Sequence, residues 1–135
     1  MKFKKSLLVS LCMLFVIALS GCKNFSAHDS GKDYLKIYDA NNQIVKTIDG
    51  PKGPKLVPDV QGELHKEAAP QDAKVSYKYV SHERNHNLKI TITAYSNYKI
   101  AKVQGVPVVG NGIVHLNQAQ FDELNHPNNL EKNNK

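Results

Sequence analysis

The sequence contains no tryptophan and only two cysteines, Cys12 and Cys22. The chain beyond residue 22 therefore has no thiol, and it can form neither a disulfide nor a thiolate metal site. Small exported domains often depend on disulfides for their stability. If this chain is exported, its hydrophobic core alone must stabilise the fold, and its length allows one domain with a core of modest size.

Several sequence patterns of enzymes are also absent. The chain has no glycine-rich phosphate-binding loop after a predicted strand, no G-x-S-x-G segment and no thiol nucleophile beyond residue 22. Asp122 and Glu123 are neighbouring carboxylates, but adjacent residues of a helix point in different directions, which is typical of a solvated surface. The sequence therefore predicts a non-enzymatic protein without a cofactor and without catalytic residues.

One long apolar run is present, and it lies near the start of the chain. Residues 6–19 follow Lys2, Lys4 and Lys5 and lead into small residues. These 14 residues are fewer than the about 20 that a helix needs to cross a membrane. A basic start, an apolar run and small residues are the layout of a secretory signal peptide. An uncleaved membrane anchor and an ordinary cleaved signal are the alternatives.

The run ends in Leu19-Ser20-Gly21-Cys22, which resembles the lipobox of bacterial lipoproteins. In that family the cysteine thiol receives a diacylglyceryl group, and signal peptidase II cuts just before it. The resemblance implies that residues 1–21 are removed and that lipid on Cys22 holds the protein at the extracytoplasmic face of the cell membrane. Two acyl chains hold a protein stably at a membrane, whereas one does not. The abundance of Asn, Lys and Ile favours a Gram-positive source.

Composition divides the chain further. Residues 22–32 are polar, contain Ser and Gly, and are predicted to form a flexible tether. Residues 33–126 form the predicted single β-rich extracytoplasmic domain. Residues 127–135 are polar and are predicted to be a disordered tail.

Alternation of apolar and polar residues at period two predicts strands through most of the domain. In residues 88–95, for example, Leu88, Ile90 and Ile92 share one face. Short strands separated by turn residues indicate a mainly β fold, either a small antiparallel sandwich or a partly open barrel, with one short C-terminal helix; an α+β fold is the alternative. The predicted strands are 33–39, 43–48, 74–80, 88–95, 98–103, 106–109 and 113–116.

The connections are predicted from turn and cap residues. Asn41-Asn42 and the Asn-Gly pair at 111–112 each suit a hairpin turn. Three prolines and two glycines make residues 50–58 irregular, and residues 63–69 fit either a short helix or a poor edge strand. Asn117 followed by Gln120 has the pattern of a capping box at the start of the C-terminal helix.

One short motif carries a chemical hypothesis. His82-Glu83-Arg84-Asn85-His86 matches H-E-x-x-H and resembles the zinc-binding motif of zincin metallopeptidases. The resemblance implies that His82 and His86 are zinc ligands and that Glu83 is the base. On a helix, residues i and i+4 share one face, which is what this chemistry requires.

The context of the motif favours a different interpretation. Strand patterns end near residue 81 and resume at residue 88, so the segment is predicted to be a hairpin loop and not a helix. The sequence therefore predicts no metal site. If a metal does bind, His82 and His86 are the candidate ligands. A small zinc metallopeptidase stays an alternative function.

Positive charge is concentrated in the second half of the domain. The loss of Lys2, Lys4 and Lys5 would reduce the formal net charge from +6 to about +3. Residues 74–102 contain a single acid, Glu83. The basic residues of this stretch are Lys74, Lys78, Arg84, Lys89, Lys99 and Lys102. Such a patch suits anionic lipid heads or an anionic wall polymer, while a solvated strand face that resists edge pairing is the simpler interpretation.

The leading functional hypothesis is a lipid-anchored surface module that binds a membrane protein or an anionic wall polymer, and not nucleic acid. Its size and address also fit exclusion-type lipoproteins, which block an incoming partner at the membrane. A second hypothesis treats residues 14–21 as the product, because this apolar octapeptide resembles the peptide pheromones that some Gram-positive cocci trim from lipoprotein signals.

Overall fold

Seven antiparallel strands form one open sheet in the computed structural model, which describes residues 32–132. The strands occur in space in the order β2-β1-β4-β5-β6-β7-β3. The mainly β prediction is therefore confirmed. The strands are β1 (Tyr34–Asp39), β2 (Ile44–Asp49), β3 (Leu64–His65), β4 (Val75–Glu83), β5 (Leu88–Tyr95), β6 (Ile100–Val106) and β7 (Gly110–His115).

Three short helical segments accompany the sheet. They are α1 (Lys52–Lys55), α2 (Gln118–Leu124) and a 3-10 turn at Pro127–Asn129. Leu124 and Leu130 are buried in the same apolar cluster as one face of the sheet. Burial of that face drives folding, because removal of apolar surface from water is the main favourable contribution. The sheet residues of this core are Leu35, Ile37, Ile48, Tyr79, Ile92, Ala94, Ala101, Val103 and Val114.

The C-terminal helix begins as its sequence predicts. The Asn117 side chain accepts a hydrogen bond from the Gln120 amide at 2.8 Å, and the Gln120 side chain accepts one from the Asn117 amide at 3.0 Å. This capping box satisfies two backbone donors that the first helical turn leaves free. Leu116 and Phe121 belong to the core cluster on either side of the cap.

The prediction of irregular chain at residues 50–58 is wrong in part, because Lys52–Lys55 forms a short helix. Pro51 lies at its N-cap with a φ of −61°, and proline is tolerated where a helix starts because its missing amide would have no partner there. Gly53 allows α1 to lie directly against β1. A Cβ atom at this position would lie 2.6 Å from the Leu35 nitrogen and 2.7 Å from the Ile48 oxygen.

The connection between β6 and β7 also differs from the prediction. The Asn-Gly pair at 111–112 lies inside β7, and the turn is made by Pro107, Val108 and Val109. Asn111 has another role, because its side-chain oxygen accepts a hydrogen bond from the Gly105 amide at 2.9 Å. This bond lies where the pairing of β6 with β7 is irregular, between Val103 and Val106. The turn therefore comes before residue 110, and not at the Asn-Gly pair.

The structure also defines two further stretches, residues 63–69 and residues 127–132. Residues 63–69 contain only the two-residue edge strand β3, the second of the two predicted options. Residues 127–132, placed by composition in a tail, contain the 3-10 turn, and Leu130 is 1% exposed. Lys46 and Glu131 form an ion pair at 3.3 Å. Two buried apolar residues, Pro127 and Leu130, dock this segment on the core.

Candidate functional site: the basic face of the sheet

The face of the sheet opposite the core carries a patch of lysines, which we call the basic face. Its lysines are Lys36 on β1, Lys78 on β4, Lys89 on β5 and Lys102 on β6. The strand positions between them on these four strands hold tyrosine, threonine, valine, isoleucine, glutamine and histidine, and no carboxylate. Lys89 and Lys102 are exposed, and Lys36 and Lys78 are half-buried.

Strand register determines the spacing of these lysines. Thr93 pairs with Lys78 on one side and with Lys102 on the other, so these two lysines are two strands apart, about 10 Å between Cα atoms. Lys36 pairs with Val80 and lies diagonally from Lys78, about 8 Å away. Within residues 32–132 none of the four ammonium groups forms an ion pair, so their positive potential is not neutralised locally.

Two of the lysines lie over tyrosine rings. The Lys36 Nζ atom is 4.7 Å from the centroid of the Tyr34 ring, and the Lys78 Nζ atom is 5.3 Å from that of Tyr38. Such contacts hold an ammonium group in place through the electron-rich ring face. Lys78 also donates to the Asn42 side chain at 3.3 Å. The basic face therefore presents positioned charges on a flat strand scaffold.

His82 lies at one end of the basic face and is 4% exposed. Its ring is stacked on Tyr34 with 5.3 Å between centroids. The Nδ1 atom donates a hydrogen bond to the main-chain carbonyl of Lys32, because a carbonyl oxygen only accepts. The histidine thus ties the start of the described chain to β4.

The H-E-x-x-H segment lies on a strand and a turn. His82 and Glu83 are consecutive residues of β4, so their side chains point to opposite faces of the sheet. His86 lies in the turn before β5, and its Nδ1 atom donates to the Glu83 carboxylate at 2.8 Å. The segment therefore lacks the common helical face that the zincin arrangement needs. The predicted hairpin is present, but β4 continues through Glu83, so the loop is confined to residues 84–87.

Part of the same sheet face is covered near its other end. Ala69 and Ala73 pack against Tyr95, Ile100 and Ile113. The Tyr98 hydroxyl donates to the Asp72 carboxylate at 2.6 Å, and this bond raises the pKa of Tyr98. Burial raises the pKa of Tyr95. Tyr34 and Tyr95 are both buried, so neither is an exposed contact residue.

A groove of about 440 Å³ opens beyond the core face, between α1 and the adjoining ends of β4 and β5. The groove is lined by apolar side chains and a few charged ones, and none of the lining residues is a histidine. The Glu83 carboxylate in the lining is already held by His86. The lining includes Pro54, Lys55, Val57, Ser81, Glu83 and Ile90. The groove offers apolar area, the Lys55 ammonium group and two carboxylates, those of Asp59 and Glu83.

The sequence analysis found part of the basic face. Three members of the basic stretch, Lys78, Lys89 and Lys102, lie on it, whereas Arg84 lies in the β4–β5 turn. Lys36 belongs to a distant segment and joins the face because β1 pairs with β4. Strand geometry places Lys36 on the same face of β1 as Tyr34 and Tyr38, but the local sequence does not show which strands lie beside β1.

Several predicted features lie outside the described residues. They are Cys22, the signal peptide at 1–21, the octapeptide at 14–21 and the tether up to residue 31. Within residues 32–132 no helix is long and apolar enough to cross a membrane, and no group of three or more metal-ligating side chains comes together.

The chain was compared with protein-family models, with characterised proteins and with solved structures. No family model, no characterised protein and no solved structure matches it.

Proposed function

We propose that this chain is a lipid-anchored, non-enzymatic binding module of the cell surface, held at the membrane through Cys22, whose basic face binds an anionic polymer of the cell wall. The observation that carries the proposal is the set of four lysines on adjacent strands, with no carboxylate between them and no ion pair to any of them within residues 32–132. A soluble domain gains nothing in fold stability from such a one-sided set of charges, because like charges repel.

A flat patch of lysines suits a polymer better than a small molecule. An ammonium group binds phosphate or carboxylate as a point charge, without the fixed geometry of a guanidinium group. Several weak contacts spread over a flat surface add up when the ligand repeats the same charge along its length. A small anionic ligand would instead require a concave site that surrounds it.

The anchor part of the proposal is supported by the segment Leu19-Ser20-Gly21-Cys22. A lipid anchor keeps the domain beside the wall, where the local concentration of anionic polymer is high. The anchor and the basic face are independent parts of the proposal, and they are tested separately.

The basic face is tested by removing two of its charges. We expect the pair Lys78→Gln and Lys102→Gln to weaken binding to inorganic polyphosphate by about 30-fold at low salt, since each surface lysine contributes about 1 kcal/mol against a negatively charged surface. The matched control is the pair Lys52→Gln and Lys55→Gln on α1, which removes the same charge elsewhere. Binding of the unchanged protein should also fall steeply as salt rises.

Equal losses in both double variants would overturn the proposal, because net charge and not the basic face would then govern binding. So would binding that salt does not weaken. Capture of a membrane protein by crosslinking in cells, unaffected by the Lys78 and Lys102 changes, would favour the exclusion-type hypothesis in place of polymer binding.

The anchor is tested by metabolic labelling with a fatty acid that carries a click-reactive group. We expect label on the full chain and its recovery in the membrane fraction, and we expect Cys22→Ala to abolish the label. An unlabelled chain that is recovered in the medium would contradict the anchor without bearing on the polymer.

A further inference from the structure

The turn between β6 and β7 presents apolar side chains to solvent. It consists of Pro107, Val108 and Val109, and we call it the valine tip. Val108 has the full exposure of an isolated residue, at 107%, and Val109 is 49% exposed. Single exposed valines are ordinary, but two consecutive ones after a proline at the point of a hairpin form a protruding apolar contact.

The backbone of the valine tip is strained. Val108 has a φ of +69°, a conformation in which a β-branched residue is an outlier. The Val109 amide donates to the Pro107 carbonyl at 2.8 Å, so Val108 is the central residue of a three-residue turn of the rare, strained kind. Asparagine or glycine would suit this conformation better. Fold stability therefore does not account for valine here, and the side chain itself is the remaining reason.

The valine tip lies at the same end of the sheet as the start of the described chain. Tyr34 pairs with His82, and His82 pairs with Lys89. A Cβ atom on Gly105 would lie 2.2 Å from the Lys89 oxygen, so β6 passes Lys89 just before it reaches the tip. The chain therefore enters β1 at the same end of the sheet as the one from which the valine tip projects.

The length of the predicted tether limits the distance between this end of the sheet and the proposed lipid anchor. Residues 22–32 span at most about 35 Å when fully extended. If lipid on Cys22 lies in the membrane, the tether keeps the end of the sheet where β1 starts within about 35 Å of the membrane. The valine tip lies at this same end of the sheet.

Lysines flank the valine tip on both sides. The Lys66 ammonium lies 4.0 Å from the position that a Cβ atom on Gly110 would occupy. Lys89, on the other side of β6, is exposed. Apolar side chains between lysines suit the interface of a membrane that contains anionic lipids. The valines can contact acyl chains there, and the lysines can contact the anionic headgroups.

We infer that the valine tip is a membrane-contact element: Val108 and Val109 enter the interface of the outer leaflet, and Lys66 and Lys89 contact anionic headgroups. The inference rests on the proposed anchor at Cys22. In this arrangement the strands run away from the membrane surface, and the basic face is exposed to the surrounding wall.

The lack of tryptophan in the chain makes a direct test available. Val108→Trp introduces a single tryptophan at the tip, and Val45→Trp is the matched control, because Val45 is 50% exposed near the β1–β2 turn at the opposite end of the sheet. Each lipidated full-length variant is reconstituted into vesicles of phosphatidylglycerol and phosphatidylcholine with brominated acyl chains.

We expect emission from Val108→Trp to shift to shorter wavelength and to be quenched by the brominated chains, while Val45→Trp is quenched only by iodide in the buffer. Adding Lys66→Gln to Val108→Trp should reduce the bromine quenching. Equal exposure of both tryptophans to iodide, without bromine quenching of Val108→Trp, would overturn the inference.

The anchor and the tip fail in different ways. Without lipid on Cys22 neither variant would stay with the vesicles, and this would contradict the anchor. Retention of both variants without bromine quenching at the tip would contradict the tip contact alone. Equal quenching in vesicles of phosphatidylcholine alone would contradict the assigned role of Lys66 and Lys89.

Discussion

The Tyr79 hydroxyl donates a 2.7 Å hydrogen bond to the main-chain carbonyl of Leu124. Tyr79 is 1% exposed on the interior strand β4, and Leu124 is the last residue of α2 and is fully buried. The carbonyls at the end of a helix have no partner within the helix. This bond therefore satisfies one of them and joins α2 to the middle of the sheet.

We expect Tyr79→Phe to lower the free energy of unfolding by about 1–2 kcal/mol, since it leaves a buried carbonyl without its donor. Chemical denaturation measures the change. The control is Tyr77→Phe, at a half-buried neighbour on the same strand, for which we expect a change within about 0.5 kcal/mol. Equal losses in the two variants would show that the bond to Leu124 contributes nothing specific.

Stability should also fall in alkaline solution because of Tyr79. Burial raises the pKa of Tyr79 above its ordinary value of 10.0, and the nearby Tyr77 and Glu123 raise it further. The unfolded chain therefore releases this proton at a lower pH than the folded chain does. The stabilising contribution is complete below about pH 10 and is lost above it, by at most about 1.4 kcal/mol per pH unit.

Comparison with Tyr79→Phe isolates this effect from other alkaline titrations. We expect unfolding curves measured between pH 9 and pH 11.5 to show a steeper loss for the unchanged protein than for the variant. Parallel losses in the two proteins would contradict the assignment, because the phenylalanine variant has no proton to release at this position.

Gly53 is a position where even one added methyl group should destabilise the fold. We expect Gly53→Ala to destabilise the fold by about 3 kcal/mol, because the new Cβ atom would overlap backbone atoms of β1 and β2 that cannot move independently. Gly50→Ala is the control. Gly50 has a φ of +87° and no atom near its Cβ position, so it should lose only about 1–2 kcal/mol through backbone strain.

Thermal and chemical unfolding of both variants measure this difference. A Gly53→Ala protein as stable as Gly50→Ala would mean that α1 shifts away from the sheet without penalty. The groove beside α1 would then change its shape, which makes the comparison informative about that site as well.

Local alternation was sufficient to predict the central strands, and it failed where contacts between distant residues decide the structure. In β5 the apolar face at Ile90 and Ile92 was evident from sequence, since period two follows from strand geometry. The helix α1 was missed because its glycine and prolines argue against a helix locally. It forms because Gly53 is small enough to lie against Leu35, a contact that no local pattern shows.

The candidate site divides in the same way. The lysines of β4, β5 and β6 were visible as a basic stretch, whereas Lys36 was not connected to them, because strand pairing brings β1 beside β4 across about 40 residues of sequence. The strong turn preference of Asn-Gly at 111–112 misplaced the β6–β7 turn. Asn111 instead uses its side chain to hold Gly105, and the valine tip results.

The H-E-x-x-H segment should not retain zinc. We expect dialysed protein to contain no stoichiometric zinc, because the two candidate ligands are held apart from each other in other contacts. His82 is buried on β4 and donates to the Lys32 carbonyl, whereas His86 lies in the turn and donates to Glu83. Elemental analysis of the unchanged protein and of His86→Ala measures the content. One zinc per chain in the former and none in the latter would contradict the expectation and revive the metallopeptidase hypothesis. His86 is the residue to change, since its exposed side chain lies in a turn.

Val108→Asn should change stability in the direction opposite to most substitutions. Asparagine tolerates the left-handed conformation that Val108 adopts at a φ of +69°, so we expect the free energy of unfolding to rise by about 1 kcal/mol. Val109→Asn is the control, since Val109 has no positive φ and should gain nothing.

The same Val108→Asn protein should lose the contact of the valine tip with vesicles, because its polar side chain does not enter the interface. A more stable protein with weaker membrane contact would separate the two roles of this residue, since damage to the fold would lower both. A less stable Val108→Asn protein would mean that the valine side chain supports the turn itself, and the strain at this position would then have no functional meaning.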